Sequence, residues 1–347
     1  DSVEALASAE PAVRRALQLD NMLGEAYASL GKVRFVQQDY PGSEKAFNRA
    51  IELNPNYAPA FDGYGLLLRW AFARKEEGLE LHQTALELDP LSTPINMAVV
   101  ETYLELGRYE DAMARCRKII EIDSDFPRSY TIMADLYWEV FARLDEGVRW
   151  LRKAMEIDPG NPDHARWLGM IYLDLGDLAA GEYWMNEAMR LAPTQSSSKW
   201  AAVYLASYTG TVEDVVAAAN ELLAVSPSDG LALVRLRDAD YQAGRIEDAL
   251  RRYRQVVPDF VDGEDPDVNA TNWSWAIESA NVLMKVGERN RANKLLNKAL
   301  PVVKSIPRLG YAGYGISAAE IHALLGDREA ALSALSEAVD AGWRISW

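Results

Sequence analysis

Apolar side chains recur along this chain three and four residues apart, in blocks separated by short polar turns. In residues 24–57, Tyr27, Leu30, Gly31 and Phe35 share one helical face, and Tyr40, Phe47, Ala50, Ile51 and Leu53 share the next, with Gln38-Asp39-Tyr40 between them. Alternation of period two is never sustained, and turn signals come too far apart for hairpins, so strands are excluded. The pattern predicts helix pairs.

The pairs repeat. AIELNP ends at Pro55, ALELDP at Pro90, IIEIDS at Ser124, AMEIDP at Pro159, AMRLAP at Pro193 and LLAVSP at Pro227, giving spacings of 35, 34, 35, 34 and 34 residues. A second ladder runs through Gly107, Gly176, Gly210 and Gly244, placed where a first helix must end and left-handed φ is often needed. Each proline ends a second helix or opens the next first helix. Small Ala50, Ala85, Ala154 and Ala188 let paired helices approach closely. Residues 58–92 and 127–161 are one residue long and carry Phe72-Ala73-Arg74 and Phe141-Ala142-Arg143 in place of the turn glycine. Glu77-Gly78 and Glu146-Gly147 come next at the same 69-residue offset, which predicts a duplicated pair of repeats with a wider turn. Val99-Val100 replaces Leu-Gly in residues 93–126, which predicts looser packing there.

These residues resemble the tetratricopeptide repeat. Residues 24–57 carry its aromatic, Leu-Gly, aromatic, Ala and Pro positions as Tyr27, Leu30-Gly31, Tyr40, Phe47, Ala50 and Pro55. Residues 162–195 carry them as Leu168-Gly169, Tyr172, Gly176, Gly181, Ala188 and Pro193. The resemblance implies an all-α, right-handed superhelical solenoid of about nineteen helices, nine pairs plus one. Residues 1–23 read as an incomplete leading repeat, its second helix at 5–19. Seven repeats occupy 24–263: 24–57, 58–92, 93–126, 127–161, 162–195, 196–229 and 230–263. An acidic loop at 264–272 precedes two degenerate repeats in 273–347. The leading helix leaves Leu6, Val13 and Leu17 without a first helix, and the last residues, Trp343 to Trp347, are apolar. Truncation from a longer protein or self-association through exposed ends would account for both.

Charge and candidate chemistry narrow the function. There are 36 basic and 52 acidic side chains, a net charge of −16, which disfavours nucleic acid and favours a basic or apolar partner. One cysteine, Cys116, excludes an internal disulfide and reads as a core filler, a reactive thiol being the alternative. His82, His164 and His322 lie too far apart for a local metal cluster, and His82 and His322 fall on apolar faces. Walker, Gly-x-Ser-x-Gly and His-Glu-x-x-His motifs are absent. Gly310-Tyr-Ala-Gly313-Tyr-Gly315 comes after a helix rather than a strand and reads as a connector. The segment 261–271 reads as a solvated acidic loop with calcium as the alternative, although EF-hand spacing is missing. No catalytic residue, metal or cofactor is expected, and no apolar run reaches the ~18 residues of a membrane span.

In such a solenoid the first helices line a concave groove. The groove-facing residues come one, four and five residues after the Leu-Gly position, and a further set lies four residues earlier, including Asp62 and Met97. The candidate partner-binding residues are Phe35, Arg69, Trp70, Glu101, Glu105, Asp135, Trp138, Glu139, Arg166, Asp174, Trp200, Tyr204, Tyr208 and Tyr241. The acids read as exposed charges whose neutralisation weakens a partner without unfolding the chain. The aromatics serve binding or packing between first helices. The expected ligand is a basic, partly apolar peptide or protein segment held by a non-enzymatic scaffold. Glu337-Ala-Val-Asp-Ala-Gly-Trp343 resembles the end of tetratricopeptide regions of bacterial adenylate cyclases and membrane-anchored winged-helix activators. That resemblance implies, as the alternative, a regulatory region of a larger signalling protein in the bacterial cytoplasm or periplasm.

Overall fold

The computed structural model describes residues 9–141, 143–305 and 314–340. Leu6, the glycine-rich segment 310–313 and the stretch 341–347 lie outside the described residues. Twenty helices and no strand occur among the described residues. The chain divides into two compact units, residues 1–129 and 130–347.

The first unit holds α1 (Glu10–Leu19) and three antiparallel pairs: α2 (Gly24–Val36) with α3 (Tyr40–Leu53), α4 (Ala58–Ala71) with α5 (Lys75–Leu88), and α6 (Thr93–Glu105) with α7 (Tyr109–Ile122). The boundary falls inside α8 (Pro127–Asp135), which continues as a π-helical turn, Leu136–Val140, and pairs with α9 (Leu144–Ile157). Next come the pairs α10 (Pro162–Asp174) with α11 (Leu178–Leu191), α12 (Ser196–Thr209) with α13 (Val212–Val225), and α14 (Gly230–Gln242) with α15 (Ile246–Val256). A five-residue helix, α16 (Pro258–Asp262), precedes α17 (Trp273–Lys285) with α18 (Arg289–Ser305) and α19 (Tyr314–Leu325) with α20 (Arg328–Asp340). The expected nine pairs plus one are all present. The twentieth helix, α16, forms at the end of the expected 230–263 repeat, ahead of the acidic loop, and Phe260 and Val261 bury themselves in the core of the last repeats.

Close approach explains the small residues. Ala50, Ala85, Ala154 and Ala188 are at most 1% exposed. The Phe47 ring lies over Gly31 and Gly63, where a Cβ would come within 2.8 and 2.5 Å of it. Alanine at either glycine would therefore clash, despite its better helix propensity. The α6–α7 pair, with Val100 in the glycine position, meets less extensively than the α2–α3, α4–α5 and α10–α11 pairs.

The turns divide into two kinds. In the 34-residue repeats, the amides of Arg108, Asp177 and Arg245 donate to carbonyls five residues back, on Tyr103, Tyr172 and Asp240. Gly107, Gly176 and Gly244 take positive φ of 69°, 80° and 72°. In the two 35-residue repeats the bond spans six residues, Arg74 to Leu68 and Arg143 to Tyr137. The extra residue lengthens α4 in one and creates the π turn in the other. Ala73 and Gln38 occupy the left-handed region, at 54° and 62°, where glycine would be unstrained. Gly210 departs from the expectation: its φ is −96°, and its small size rather than its freedom matters, since a Cβ would lie 2.9 Å from the Ala206 carbonyl.

Two further expectations change, and one holds. Val13 is buried and Leu17 half-buried, with α1 packing on α2, so these two side chains do not lie open as anticipated, while Leu19 and Met22 beside them are exposed. The acidic loop is tied down rather than freely solvated. Asp265 pairs with Lys294 and Lys298 at 2.9 and 2.7 Å, and these lysines hold its carboxyl down at about 2. The same lysines donate to the Glu264 and Pro266 carbonyls, while Asp262 pairs with Arg254. Cys116 is fully buried, and burial pushes its thiol up to about 12, so it is a core filler and not a nucleophile.

Candidate functional site

The first-helix faces carry different chemistry in the two units. In residues 1–129 the centre is Arg69 on α4. A Cβ on Gly78 of α5 would lie 2.9 Å from the Gly65 carbonyl, so that glycine lets α4 and α5 approach closely beside Arg69, whose side chain is only 2% exposed. Its Nη2 reaches Glu101 at 3.0 Å, its Nε lies 3.6 Å from Glu105, and its Nη1 donates to Thr102 Oγ1 at 3.4 Å. Arg128 takes the other oxygen of Glu101 at 2.8 Å, and Lys75 lies 3.7 Å from Glu105. Glu101 and Glu105 are therefore not the free charges expected, since they hold a buried cation. Trp70, by contrast, is 68% exposed. Phe35 is half-buried, with its ring centroid 6.0 Å from that of Tyr40.

In residues 130–347 the equivalent of Arg69 is Trp138. It was expected on the groove, and it is 3% exposed, packed with Ala134, Leu151, Leu168 and Ile171. The equivalent Arg69 is buried in an unbroken α-helix, so this position faces inward in both repeats, and in this one the indole fills it with apolar contacts. Asp135 and Glu139 are half-buried in the same first helix. Burial pushes the Glu139 carboxyl up to about 7.

The next two first helices form a ladder. Trp200 and Tyr204 stack at 4.9 Å, and Tyr204 and Tyr208 lie at 5.3 Å, one turn apart along α12. Arg166 of α10 caps the ladder, its guanidinium 5.2 Å from the Trp200 ring. At the other end both tyrosine hydroxyls donate to Asp174 Oδ1, that of Tyr204 at 3.1 Å. Burial raises the Asp174 carboxyl, and the Tyr208 and Tyr204 hydroxyls offset part of that. The spacing rule thus brings Arg166, Asp174, Trp200, Tyr204 and Tyr208 together.

Tyr241 leads to a cluster that the sequence reading missed. The Arg237 guanidinium and the Lys285 ammonium lie 5.8 and 5.4 Å from its ring, and its hydroxyl donates to Asn281 Oδ1 at 3.3 Å. Arg237 pairs with Asp238 at 2.8 Å and with Glu278 of α17, which also accepts from Tyr253. Glu320 of α19 completes it: burial, then repulsion from Glu278, pushes its carboxyl up to about 7 against the pull of Arg237. Glu278 stands 41 residues after Arg237, and Asn281 43 after Asp238, against the 32 between Arg69 and Glu101 and the 34 of the period. The acidic loop adds nine, as the 43 residues from Gly244 to Gly287 show. Subtracting that insertion from the period would have found them.

An all-α array of antiparallel helix hairpins with a recurring first-helix face defines a class of interaction repeat. Residues 76–136 and 142–196 match tetratricopeptide repeat families. The chain is a tetratricopeptide-repeat protein. It is 21% identical over 250 residues to the Protein CTR9 homolog of Arabidopsis thaliana, covering 68% of this chain. It is 23% identical over 170 residues to anaphase-promoting complex subunit 3 of Schizosaccharomyces pombe, covering 49% of this chain. The chain spans 22% and 25% of these curated relatives. The solved structure of Pseudomonas aeruginosa PilF superposes with a TM-score of 0.52 at 14% identity, covering 65% of this chain and 98% of PilF, a likeness of fold. Tetratricopeptide repeats serve protein–protein interaction. No described helix is long and apolar enough to cross a membrane.

Proposed function

We propose that the protein is a non-enzymatic scaffold that holds a basic, partly apolar segment of a partner protein against its first helices. The observation that carries this reading is the state of Glu139 and Glu320. Each is half-buried on the first helix of its repeat, forms no ion pair with lysine or arginine among the described residues, and has its carboxyl pushed up to about 7 by burial. An incoming cation stabilises the charged form of such a group and repays its desolvation. Exposed Trp70 in residues 1–129 and the Trp200–Tyr208 ladder in residues 130–347 supply aromatic anchor surface on first helices.

Fluorescence anisotropy with labelled ten-residue peptides tests the reading. A lysine-leucine peptide should bind at low micromolar concentration, and its glutamate-leucine counterpart should not. The double variant Glu139→Gln, Glu320→Gln should weaken the first about tenfold, roughly 1.4 kcal/mol. Raising salt should shrink that difference. Equal binding of both peptides, or indifference to the double variant, would remove the basis for a basic partner.

A further inference from the structure

A cavity of about 450 Å³ opens between α4 and α6 in residues 1–129, with Asp123 and Phe126 of the turn after α7 in its wall. Pockets that enclose small ligands run from about 300 to 1,000 Å³, so it has room for one long side chain of a partner. Part of the wall is apolar: Leu66, Met97 and Phe126, with Pro94 and Ala98. Around it stand three carboxylates, Asp62, Glu101 and Asp123.

Arg69 is the cation in that lining, and its charge is spent on Glu101 and Glu105, with Arg128 on the remaining oxygen of Glu101. Among the described residues, Asp62 and Asp123 pair with neither lysine nor arginine. Asp62 Oδ1 is enclosed by protein and accepts no hydrogen bond, the Nδ1 of buried His82 being 3.2 Å away but out of line. The Asp62 side chain is nonetheless 24% exposed and lines the cavity, so a cationic donor inside it can pair with the carboxylate. An apolar occupant would leave both carboxylates unanswered, and an anionic one would be repelled by them.

We propose that this cavity takes the side chain of a lysine or arginine from a peptide partner, with its methylene stem against Leu66, Met97 and Phe126 and its cationic end between Asp62 and Asp123. The inference rests on the first-helix face being a peptide-binding surface, and it adds which residue the peptide must carry and where that residue seats. Asp62 and Met97 fall at inward-facing positions of the repeat, so the side chain enters from the groove.

The test uses the full chain labelled at the methionine methyls, with the Met97 resonance assigned through Met97→Leu. Three capped amino acids are titrated in: Nα-acetyl-lysine N-methylamide, the norleucine counterpart with a matching stem and no charge, and the glutamate counterpart. The lysine probe should move the Met97 signal at a concentration about fivefold below that of norleucine, and glutamate should leave it unmoved. Asp123→Asn and Asp62→Asn should each erase most of the lysine advantage. Asparagine at 123 keeps the acceptor for the Asp125 amide, so that variant retains the turn and decides the matter if the Asp62 variant folds poorly. Equal response to lysine and norleucine, preference for glutamate, or a silent Met97 would each overturn the proposal. None of those results would touch the scaffold reading, which is decided by peptide capture through Glu139 and Glu320.

Discussion

Arg69 and Trp138 occupy equivalent positions, 69 residues apart, in the two repeats that are one residue long. Each belongs to the first helix, and each lies over a glycine of the second: Gly78 beside Arg69, and Gly147, whose Cβ would come 3.2 Å from Trp138 Cβ. Each is almost fully buried. The next first helix supplies what each needs. Thirty-two and thirty-six residues on, Arg69 finds Glu101 and Glu105, whereas Trp138 meets Met170 and the position of Asp174. With no buried cation to answer, Asp174 takes the hydroxyls of Tyr204 and Tyr208 instead, and an aromatic ladder grows where the first unit has an ion network. One scaffold position thus decides whether the neighbouring face is spent on internal charge pairing or presented as rings.

The sharpest way to break this comparison is to remove its two centres. Arg69→Ala should destabilise residues 1–129 by about 3–5 kcal/mol, because two carboxylates lose the cation they were held by. Trp138→Ala should cost residues 130–347 a similar ~3–5 kcal/mol, by cavity formation alone. The causes separate when Glu101→Gln and Glu105→Gln are added: the charge-driven loss should largely recover in urea melts, and the cavity loss has no such remedy. If Arg69→Ala costs no more than a surface substitution, the network is not structural.

A smaller effect probes the ladder. Tyr204→Phe with Tyr208→Phe should cost about 1–3 kcal/mol, since Asp174 then keeps its burial and loses both donors. Its carboxyl should titrate higher still, as followed by carboxyl-resolved NMR. An unchanged titration would mean that the hydroxyls do not support it.

Acidity probes two carboxyls of residues 130–347. Glu139 and Glu320 have ordinary values of 4.5 raised to about 7 in the folded state, so the folded protein holds those protons more tightly than the unfolded chain. Their contribution is full below pH 4.5 and is lost as pH rises through 7. Stability of residues 130–347 should therefore fall across that window, and Glu139→Gln with Glu320→Gln should flatten it. Bound cationic peptide should oppose the fall and release protons, as calorimetry in two buffers would show. The smallest effect is expected at Asp265→Asn, since Asp265 is exposed and exposed ion pairs contribute little. It should leave the melt unchanged and loosen only the 263–271 loop, seen as faster local proteolysis.

Repeat length and helix pairing were legible in the sequence because each hairpin buries one stripe of side chains against its neighbours, and that stripe recurs every 34 or 35 residues. The turn glycines were legible for a related reason: positive φ at Gly107, Gly176 and Gly244 leaves a residue-type signature. The same spacing placed Arg166, Asp174, Trp200, Tyr204 and Tyr208 on one face. Whether a face residue points to solvent or into the core depends on what the neighbouring helices pack against it, and only the tertiary structure decided that. Arg69 and Trp138 share one register and are both buried, while Trp70, one residue past Arg69, is exposed. Partnering was hidden for the same reason. Glu101 and Glu105 read as free acids until a cation from the preceding repeat was seen to reach them, and Glu278 and Glu320 escaped notice because an inserted loop broke the period. Periodicity is a property of neighbours along the chain; charge compensation belongs to neighbours in space.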